Sequence, residues 1–180
     1  MGTSHAKCRP QHGLDGIFAP ADFTEPLIRE AIKKLKYKNV QELGQALGRF
    51  LAESLSRHFA GFLRGDVLIV PVPLYITKEK RRGYNQSKLL AQALVECLNL
   101  PLAECLTRKI DTISQTKLDK KRRIENVRNA FALAGDWPVA GKFVFLVDDV
   151  TTTGATLREC AKVLKRHGAS TVWGLAIAQE

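Results

Sequence analysis

The stretch that decides the fold is FVFLVDDVTTTGAT, residues 143–156. Its first five residues are all apolar, which is typical of a parallel strand buried on both faces. Asp148 and Asp149 follow directly. In open α/β sheets, ligands bind outside the carboxyl ends of the strands, so these two acids are expected to lie at a ligand site. The pattern therefore predicts an α/β fold with a binding site at the acid pair, Asp148 and Asp149.

A loop of small residues follows the acid pair and leads into an amphipathic helix over residues 157–167, which Gly168 ends. The free N–H groups and the dipole of a helix N-terminus favour an anion, and Gly154 permits close approach of the backbone. Because the acids would repel phosphate, we expect the loop to bind phosphate and the acids to accept hydrogen bonds from two ribose hydroxyls. An ordinary strand-to-helix turn with Asp capping is the alternative. The candidate binding residues are Asp148, Asp149, Thr151, Thr152, Thr153, Gly154, Ala155 and Thr156.

A second apolar run, residues 67–72, contains Pro71 and is followed by Pro73. Proline cannot donate to a ladder, so strand pairing is predicted to stop there. Lysines and arginines fill the polar loop up to Gly83, and an apolar helix face follows. The planar donors of arginine suit pyrophosphate. A surface loop with scattered charge is the alternative interpretation.

The run VDDVTTTGAT, residues 147–156, resembles the signature with which type I phosphoribosyltransferases bind phosphoribosyl pyrophosphate (PRPP). The wider chain resembles the ComF family, a phosphoribosyltransferase-like group linked to bacterial competence for DNA uptake. The resemblance implies a type I phosphoribosyltransferase fold, in which helices flank a mostly parallel sheet and a small N-terminal helical segment acts as a hood. It rests on LDG at 14–16, LKYK at 35–38, VPVP at 70–73, RGYNQ at 82–86, and on Gln115, Leu118, Arg123, Asn126 and Phe131.

The resemblance also implies residue roles. The acids would hold the ribose hydroxyls, the threonine loop the 5′-phosphate, and a second loop the pyrophosphate. Magnesium would chelate the diphosphate and the sugar hydroxyls with few direct protein ligands. The reaction implied is transfer of the phosphoribosyl group to a nitrogen nucleophile with release of pyrophosphate. The pyrophosphate loop would comprise Val72, Pro73, Arg82, Gly83 and Asn85, and the catalytic residues would be Asp149, Arg82, Arg108 and Arg123.

Residues 107–128 form a long, polar and strongly basic stretch. Loops of this length in a compact domain are usually functional or disordered. By resemblance, the stretch is the mobile catalytic loop that closes over the sugar diphosphate and excludes water. A disordered basic segment is the alternative.

The composition fits a chain that buries a core in a reducing compartment. Hydrophobic residues make up 45% of the 180 residues, and the four cysteines are widely spaced, which argues against a disulfide framework. No apolar stretch is long enough to span a bilayer, and residues 1–7 lack the apolar core of a signal peptide, so a cytoplasmic protein without membrane contact is expected. The net charge of +10 suits a phosphorylated sugar, nucleic acid or merely a solvated basic face.

Residues 1–21 lack a hydrophobic period and are predicted to be an irregular lead-in, followed by a phosphoribosyltransferase-like domain over residues 22–180. Cys8 and His12 supply half a zinc site at most, and by resemblance Cys8 is a remnant of an N-terminal zinc module. The lead-in and the first two helices would form the hood. At the end of the first helix, Lys36, Tyr37 and Lys38 are predicted to be a solvated end, with phosphate or nucleic-acid contact as the alternative.

Other functions remain open at this stage. The chain could bind PRPP or a nucleotide as a non-catalytic sensor. It could instead bind single-stranded DNA or a protein of the competence machinery as an accessory of DNA uptake, and a homodimer is a further option. The sequence offers no pattern that identifies the nitrogen nucleophile.

Overall fold

The computed structural model describes residues 13–38, 40–61, 63, 65–111 and 120–180; the side chains of Lys120, Lys121 and Arg123 are outside this description. The strands are β1 (Gly16–Phe18), β2 (Ala21–Asp22), β3 (Val67–Pro71), β4 (Leu106–Arg108), β5 (Phe131–Leu133), β6 (Phe143–Val147), β7 (Val150–Thr151), β8 (Thr171–Leu175) and β9 (Ala178–Gln179). The helices are α1 (Pro26–Tyr37), α2 (Glu42–Phe59), α3 (Ile76–Arg82), α4 (Gln86–Leu98), α5 (Lys120–Asn126) and α6 (Ala155–Arg166).

Four parallel strands form the main sheet in the order β1-β8-β6-β3. β6 pairs along its whole length with β3 on one side and with β8 on the other. β2, β9 and β7 form a second parallel sheet, while β4 and β5 form an antiparallel pair. The mostly parallel sheet predicted from the sequence is therefore confirmed.

The side chains of β6 divide between two cores on opposite faces of the main sheet. Val144 and Leu146 pack in a core that includes α6, and Phe145 and Val147 pack in a core that includes α1, α2 and α4. All four side chains are buried. Helices thus cover both faces of the sheet, as a continuous apolar strand requires.

Glycine lets α2 lie very close to α4. A Cβ atom on Gly48 would come within 2.4 Å of the Cβ of Ala93 and 2.9 Å of the carbonyl oxygen of Leu90. Real side chains do not tolerate such distances, so any larger residue at position 48 would force the two helices apart. This close contact fixes the position of α2 against α4.

The β3 ladder ends at the prolines, as predicted, although Pro71 itself still pairs. Pro71 pairs with Val147, and the N–H of Val72 donates to the carbonyl oxygen of Val147 at 2.9 Å. Successive residues of a strand direct their N–H groups to opposite sides, and the N–H of Ile69 bonds outward to Pro101. Pro71 shares that outer side, so its missing N–H removes no bond to β6.

Two segments differ from expectation. The polar segment after Pro73 contains helix α3, which ends at Gly83 in the left-handed region with φ of 86°. Within the predicted lead-in, Gly16–Phe18 form edge strand β1, which pairs with β8. Cys8 and His12 lie outside the described residues, so the zinc remnant and the boundary at residue 21 stay predictions.

The basic stretch 107–128 is structured at both ends. It begins in β4, where Arg108 pairs with Phe131 of β5, and it includes α5. Residues 112–119 lie outside the described part of the chain. Arg108 is therefore held on a strand, not in a loop. No helix in the described residues is both long enough and apolar enough to cross a bilayer.

Candidate functional site

A pocket of about 580 Å³ opens where β3 and β6 end. Its walls come from the end of α1, the turn after β3, α3, the start of α4, β4 and the acid pair. The sequence predicted these lining residues: Val72, Pro73, Arg82, Arg108, Asp148, Asp149 and Thr156. It did not predict these: Lys36, Tyr37, Leu74, Lys78, Arg81, Tyr84, Gln86, Ser87 and Val150.

Each acid of the pair uses one oxygen to hold the protein together. Oδ1 of Asp148 accepts hydrogen bonds from the hydroxyl of Ser87 at 3.0 Å and from the N–H of Asp149 at 2.9 Å. Oδ1 of Asp149 accepts from the N–H of Val150 at 2.7 Å and forms an ion pair with Nζ of Lys36 at 3.0 Å. These bonds fix both carboxylates, because each is tied to backbone at the strand end.

The second oxygen of each acid has no such bond. Oδ2 of Asp149 is buried and has no hydrogen-bond partner among the described residues. No described group donates to Oδ2 of Asp148 either. A buried carboxylate oxygen without a donor is costly, which favours a ligand that brings hydroxyl donors to this point. The pair can therefore accept two hydrogen bonds, one per acid.

Burial and neighbouring charge perturb the acid pair. Burial and, after it, the negative charge of Asp149 raise the pKa of Asp148 to about 7, although the positive charge of Lys36 opposes both effects. Burial would lower the pKa of Lys36, but the nearby Asp149 and Asp148 carboxylates more than compensate, and the pKa of this lysine is raised. Lys36 is therefore positively charged at neutral pH.

The raised pKa of Asp148 predicts that this residue destabilises the fold as pH rises. Below the pKa of 3.8 expected for the unfolded chain, Asp148 is protonated in both the folded and the unfolded state. Between that pH and about pH 7, the carboxyl loses its proton in the unfolded state but keeps it in the folded state. Asp148→Asn should therefore increase the free energy of unfolding at pH 8 by about 1–2 kcal/mol and much less at pH 5. Urea denaturation at the two pH values measures this difference.

Asp66→Asn is the matched control, since Asp66 is an exposed carboxylate paired with Lys142 at the surface. Its effect should not grow between pH 5 and pH 8. An Asp148→Asn variant whose stability relative to wild type is the same at both pH values would contradict the assignment of the perturbed pKa.

Cations line the wall that faces the acid pair. Arg82 donates to the side-chain oxygen of Gln86 and lies 5.7 Å from the ring centroid of Tyr37. Arg108 lies 5.3 Å from the ring centroid of Phe131. Burial lowers the pKa of Arg108, although it remains a cation at any ordinary pH. The cationic lining residues are Lys36, Lys78, Arg81, Arg82 and Arg108.

The threonine loop lies beside the pocket and only its end lines it. Gly154 adopts the left-handed region with φ of 70° and precedes α6. The backbone N–H groups of Thr152, Thr153 and Gly154 make no hydrogen bond within the described structure, so they are available to an anion. The N–H of Ala155 is partly used by the hydroxyl of Thr153 at 3.3 Å.

Several predicted site residues do not line the pocket. Asn85 is buried; its amide nitrogen donates to the carbonyl oxygen of Val72 at 3.0 Å, and its side-chain oxygen caps α4 by accepting from the N–H of Ser87. Gly83 ends α3. Both residues shape the loop after β3 without lining the cavity. The side chain of Arg123 lies outside the described part of the chain. The residues of the threonine loop that do not line the pocket are Thr151, Thr152, Thr153, Gly154 and Ala155.

The lining residues that sequence reasoning missed differ in how visible they were. Lys78 and Arg81 share one helix face with the predicted Arg82, a signal available once residues 76–82 are assigned to a helix. No comparable spacing pattern indicated that Lys36 lines the pocket. On an amphipathic helix a lysine is normally solvated, yet its side chain is only 22% exposed here. The prediction of a solvated helix end is therefore wrong for Lys36.

Comparisons with known proteins bear on this site. The chain is 39% identical over 159 residues to DNA utilization protein YhgH of Salmonella typhimurium, an alignment covering 87% of this chain and 68% of that protein. It is 37% identical over 163 residues to competence protein F of Haemophilus influenzae, covering 87% and 70%. The chain thus spans about two thirds of the length of these relatives. No family model matches it.

A solved structure gives the fold. The chain superposes on glutamine phosphoribosylpyrophosphate amidotransferase from B. subtilis, complexed with ADP and GMP, with a TM-score of 0.53 and 20% identity. The match covers 82% of this chain and 30% of that one. At this identity the likeness bears on the fold alone, and it agrees with the α/β arrangement of the strands and helices.

Proposed function

The chain belongs to the ComF family of phosphoribosyltransferase-like proteins, and from that premise we propose that its pocket binds PRPP and transfers the phosphoribosyl group to a nitrogen nucleophile. The observation that carries the proposal is that each of the two adjacent acids keeps one carboxylate oxygen, Oδ2, without a hydrogen-bond donor among the described residues. Two acceptors at neighbouring positions match the two adjacent hydroxyls of a ribose. A deoxyribose would satisfy only one of them.

The charge of the pocket supports a polyanionic ligand. Five cationic side chains and two carboxylates line the pocket, so its lining is net positive. Two of these cations, Lys36 and Lys78, also form ion pairs with Asp149 and Asp111. A ribose that carries both a 5′-phosphate and a pyrophosphate suits a net positive lining, and a cleft with such a field also concentrates anions from solution.

In this proposal each group of the site has a separate binding role. Asp148 and Asp149 accept hydrogen bonds from the ribose hydroxyls, and the free N–H groups of the threonine loop take the 5′-phosphate. Arg82 and Arg108 offset the charge that gathers on the pyrophosphate as it leaves. In the transfer step, the bond from the anomeric carbon to pyrophosphate breaks with its electron pair on oxygen, and a nitrogen lone pair forms the new bond to that carbon. The proton that this nitrogen then loses passes to water or to the released pyrophosphate.

A magnesium ion fits this site as a companion of the ligand. The two free Oδ2 atoms are hard oxygen ligands of the kind that magnesium accepts, but the described residues hold no cluster of three or more His, Cys, Asp or Glu that could bind a metal alone. Asp148 and Asp149 are the residues that would hold it. The ion would supply charge neutralisation to the diphosphate, while the chain supplies position.

Calorimetry with PRPP and magnesium tests binding, and pyrophosphate release across a panel of bases and amines tests transfer. We expect binding in the micromolar range at low salt. Binding without pyrophosphate release for any acceptor would favour a PRPP sensor over a transferase. Absence of binding by the wild type would overturn the proposal.

Single-stranded DNA is a second candidate ligand, in a role in DNA uptake to which the names of the relatives point. The favouring observation is Tyr37, which is 65% exposed at the mouth of the pocket and stacks near Arg82. Exposed aromatic and arginine side chains form the platforms on which unpaired bases stack. Filter binding at several salt concentrations tests this candidate, because affinity that does not fall with salt would argue against multiple phosphate contacts.

A further inference from the structure

Lys36 stands out from the other lysines of α1 because it faces the acid pair. Ile32 and Leu35 anchor the same helix in the core and are fully buried. The hydroxyl of Tyr84 donates to the carbonyl oxygen of Leu35, which ties the end of α1 to the segment before α4. The helix end is thus fixed, and Lys36 extends from it to Asp149.

The contact between Lys36 and Asp149 is shielded from water. Nζ of Lys36 lies 3.0 Å from Oδ1 of Asp149, and the two side chains are 22% and 5% exposed. By contrast, Lys33 and Lys34, on the same helix, are exposed. Ion pairs at this degree of burial are screened far less by salt and water than surface pairs are.

The ammonium group of Lys36 has N–H donors that the contact with Asp149 does not use. A lysine carries three N–H donors, and the structure assigns one contact of Lys36 to Asp149. Lys36 also lines the pocket, so a further donor can reach an anionic oxygen of a ligand. One residue can therefore link the acid that holds a sugar hydroxyl to the phosphate group of the same ligand.

The charges around the acid pair come from several elements. Asp148 accepts a hydrogen bond from Ser87 of α4, and Arg108 of β4 and Thr156 of α6 line the same pocket. Lys36 of α1 contacts the pair directly, because its nitrogen is within ion-pair distance of Asp149.

We propose that Lys36 is the fixed counter-cation of the acid pair, and that it allows the pocket to hold an anionic phosphorylated sugar without a divalent ion bound beforehand. This inference rests on the proposed function for its ligand. Without a cation at this point, two carboxylates would repel the phosphates of the ligand. A divalent ion that arrives with the ligand can reduce this repulsion. Lys36 reduces it with a positive charge that belongs to the protein itself.

Calorimetry with PRPP in EDTA and in magnesium tests the inference on wild type, Lys36→Met and Lys36→Arg. Lys34→Met is the matched control, since it removes the same charge from an exposed position of the same helix. We expect wild type to bind in EDTA within about tenfold of its affinity in magnesium. Lys36→Met should bind at least tenfold more weakly in EDTA and recover most of that loss in magnesium, while the other two variants stay close to wild type.

Two binding results would overturn the inference: wild type that binds only when magnesium is present, or Lys36→Met that loses the same factor with and without magnesium. A readout without ligand separates this inference from the proposed function. A double-mutant cycle in the free energy of unfolding should show that Lys36→Met and Asp149→Asn are coupled, and that Lys34→Met and Asp149→Asn are not, because only Lys36 lies within ion-pair distance of Asp149. Uncoupled effects of Lys36→Met and Asp149→Asn overturn the counter-cation role, even if PRPP binds; absence of PRPP binding with coupled effects overturns the proposed function and the ligand half of the inference.

Discussion

Replacing both acids, Asp148→Asn with Asp149→Asn, is expected to weaken PRPP binding at least about 100-fold. In each acid, Oδ1 already accepts from backbone N–H groups, so the asparagine oxygen will keep that position and its amide nitrogen will replace Oδ2. Two acceptors then become two donors, and hydrogen bonds to charged groups are each worth about 1.5–3 kcal/mol. Isothermal calorimetry in magnesium measures the loss.

The controls for this experiment are ligands that lack the ribose diol. Pyrophosphate carries no diol, and in EDTA no magnesium ion can link it to the acids. The double variant then only removes negative charge from a pocket lined by cations, so pyrophosphate in EDTA should bind as well as before or more tightly. Ribose 5-phosphate should bind wild type at least tenfold more tightly than 2-deoxyribose 5-phosphate does, and the double variant should lose that preference. Equal weakening for ligands with and without the diol would show that the acids do not recognise ribose.

Gly48→Val is expected to destabilise the protein by about 3 kcal/mol. A Cβ at this position would lie 2.4 Å from the Cβ of Ala93, and the valine adds two more methyl groups at the contact between α2 and α4. The carbonyl oxygen of Leu90, at 2.9 Å, belongs to the backbone and cannot rotate away. Overpacking of this kind typically costs about 1–3 kcal/mol and occasionally more. Urea denaturation followed by circular dichroism measures the change.

Gly61→Val is the matched control, because Gly61 lies just beyond α2 and has nothing within 4 Å of where its Cβ would be. Surface substitutions of this kind usually change stability by less than about 0.5 kcal/mol. If Gly48→Val were as mild as Gly61→Val, the close approach of α2 to α4 would be wrong. Since α1 packs on the same layer, Gly48→Val should also disturb Lys36 and weaken ligand binding.

Much of the fold follows from local patterns. The apolar run before Asp148 is buried on both faces because a strand with no polar face can only lie inside a parallel sheet, and the structure places it between β3 and β8. The expectation that pairing ends at the prolines holds, since β3 ends at Pro71, yet Pro71 itself still pairs with Val147. Whether a missing N–H matters depends on which side of the strand it faces, and that depends on which neighbours the strand has.

The site, like the fold, could be predicted from the sequence only in part. Adjacent acids at a strand end predicted the position of Asp148 and Asp149, since the strand direction alone carries them to one edge of the sheet. The roles of Asn85 and Gly83 could not be separated from those of the lining residues by sequence, because a loop residue that shapes a pocket and one that faces it have similar chemistry. Only the bond from Asn85 to Val72 distinguishes them.

By itself the sequence determined the parallel sheet, the strand that carries the acids and the helix that follows them, because each is encoded by hydrophobic period, glycine and capping within a short stretch of chain. Only the tertiary structure decided that Lys36 pairs with Asp149. The polar face of α1 carries several equivalent lysines. The packing of Ile32 and Leu35 in the core orients α1 and so decides which lysine contacts the acids. That packing depends on residues far apart in the chain.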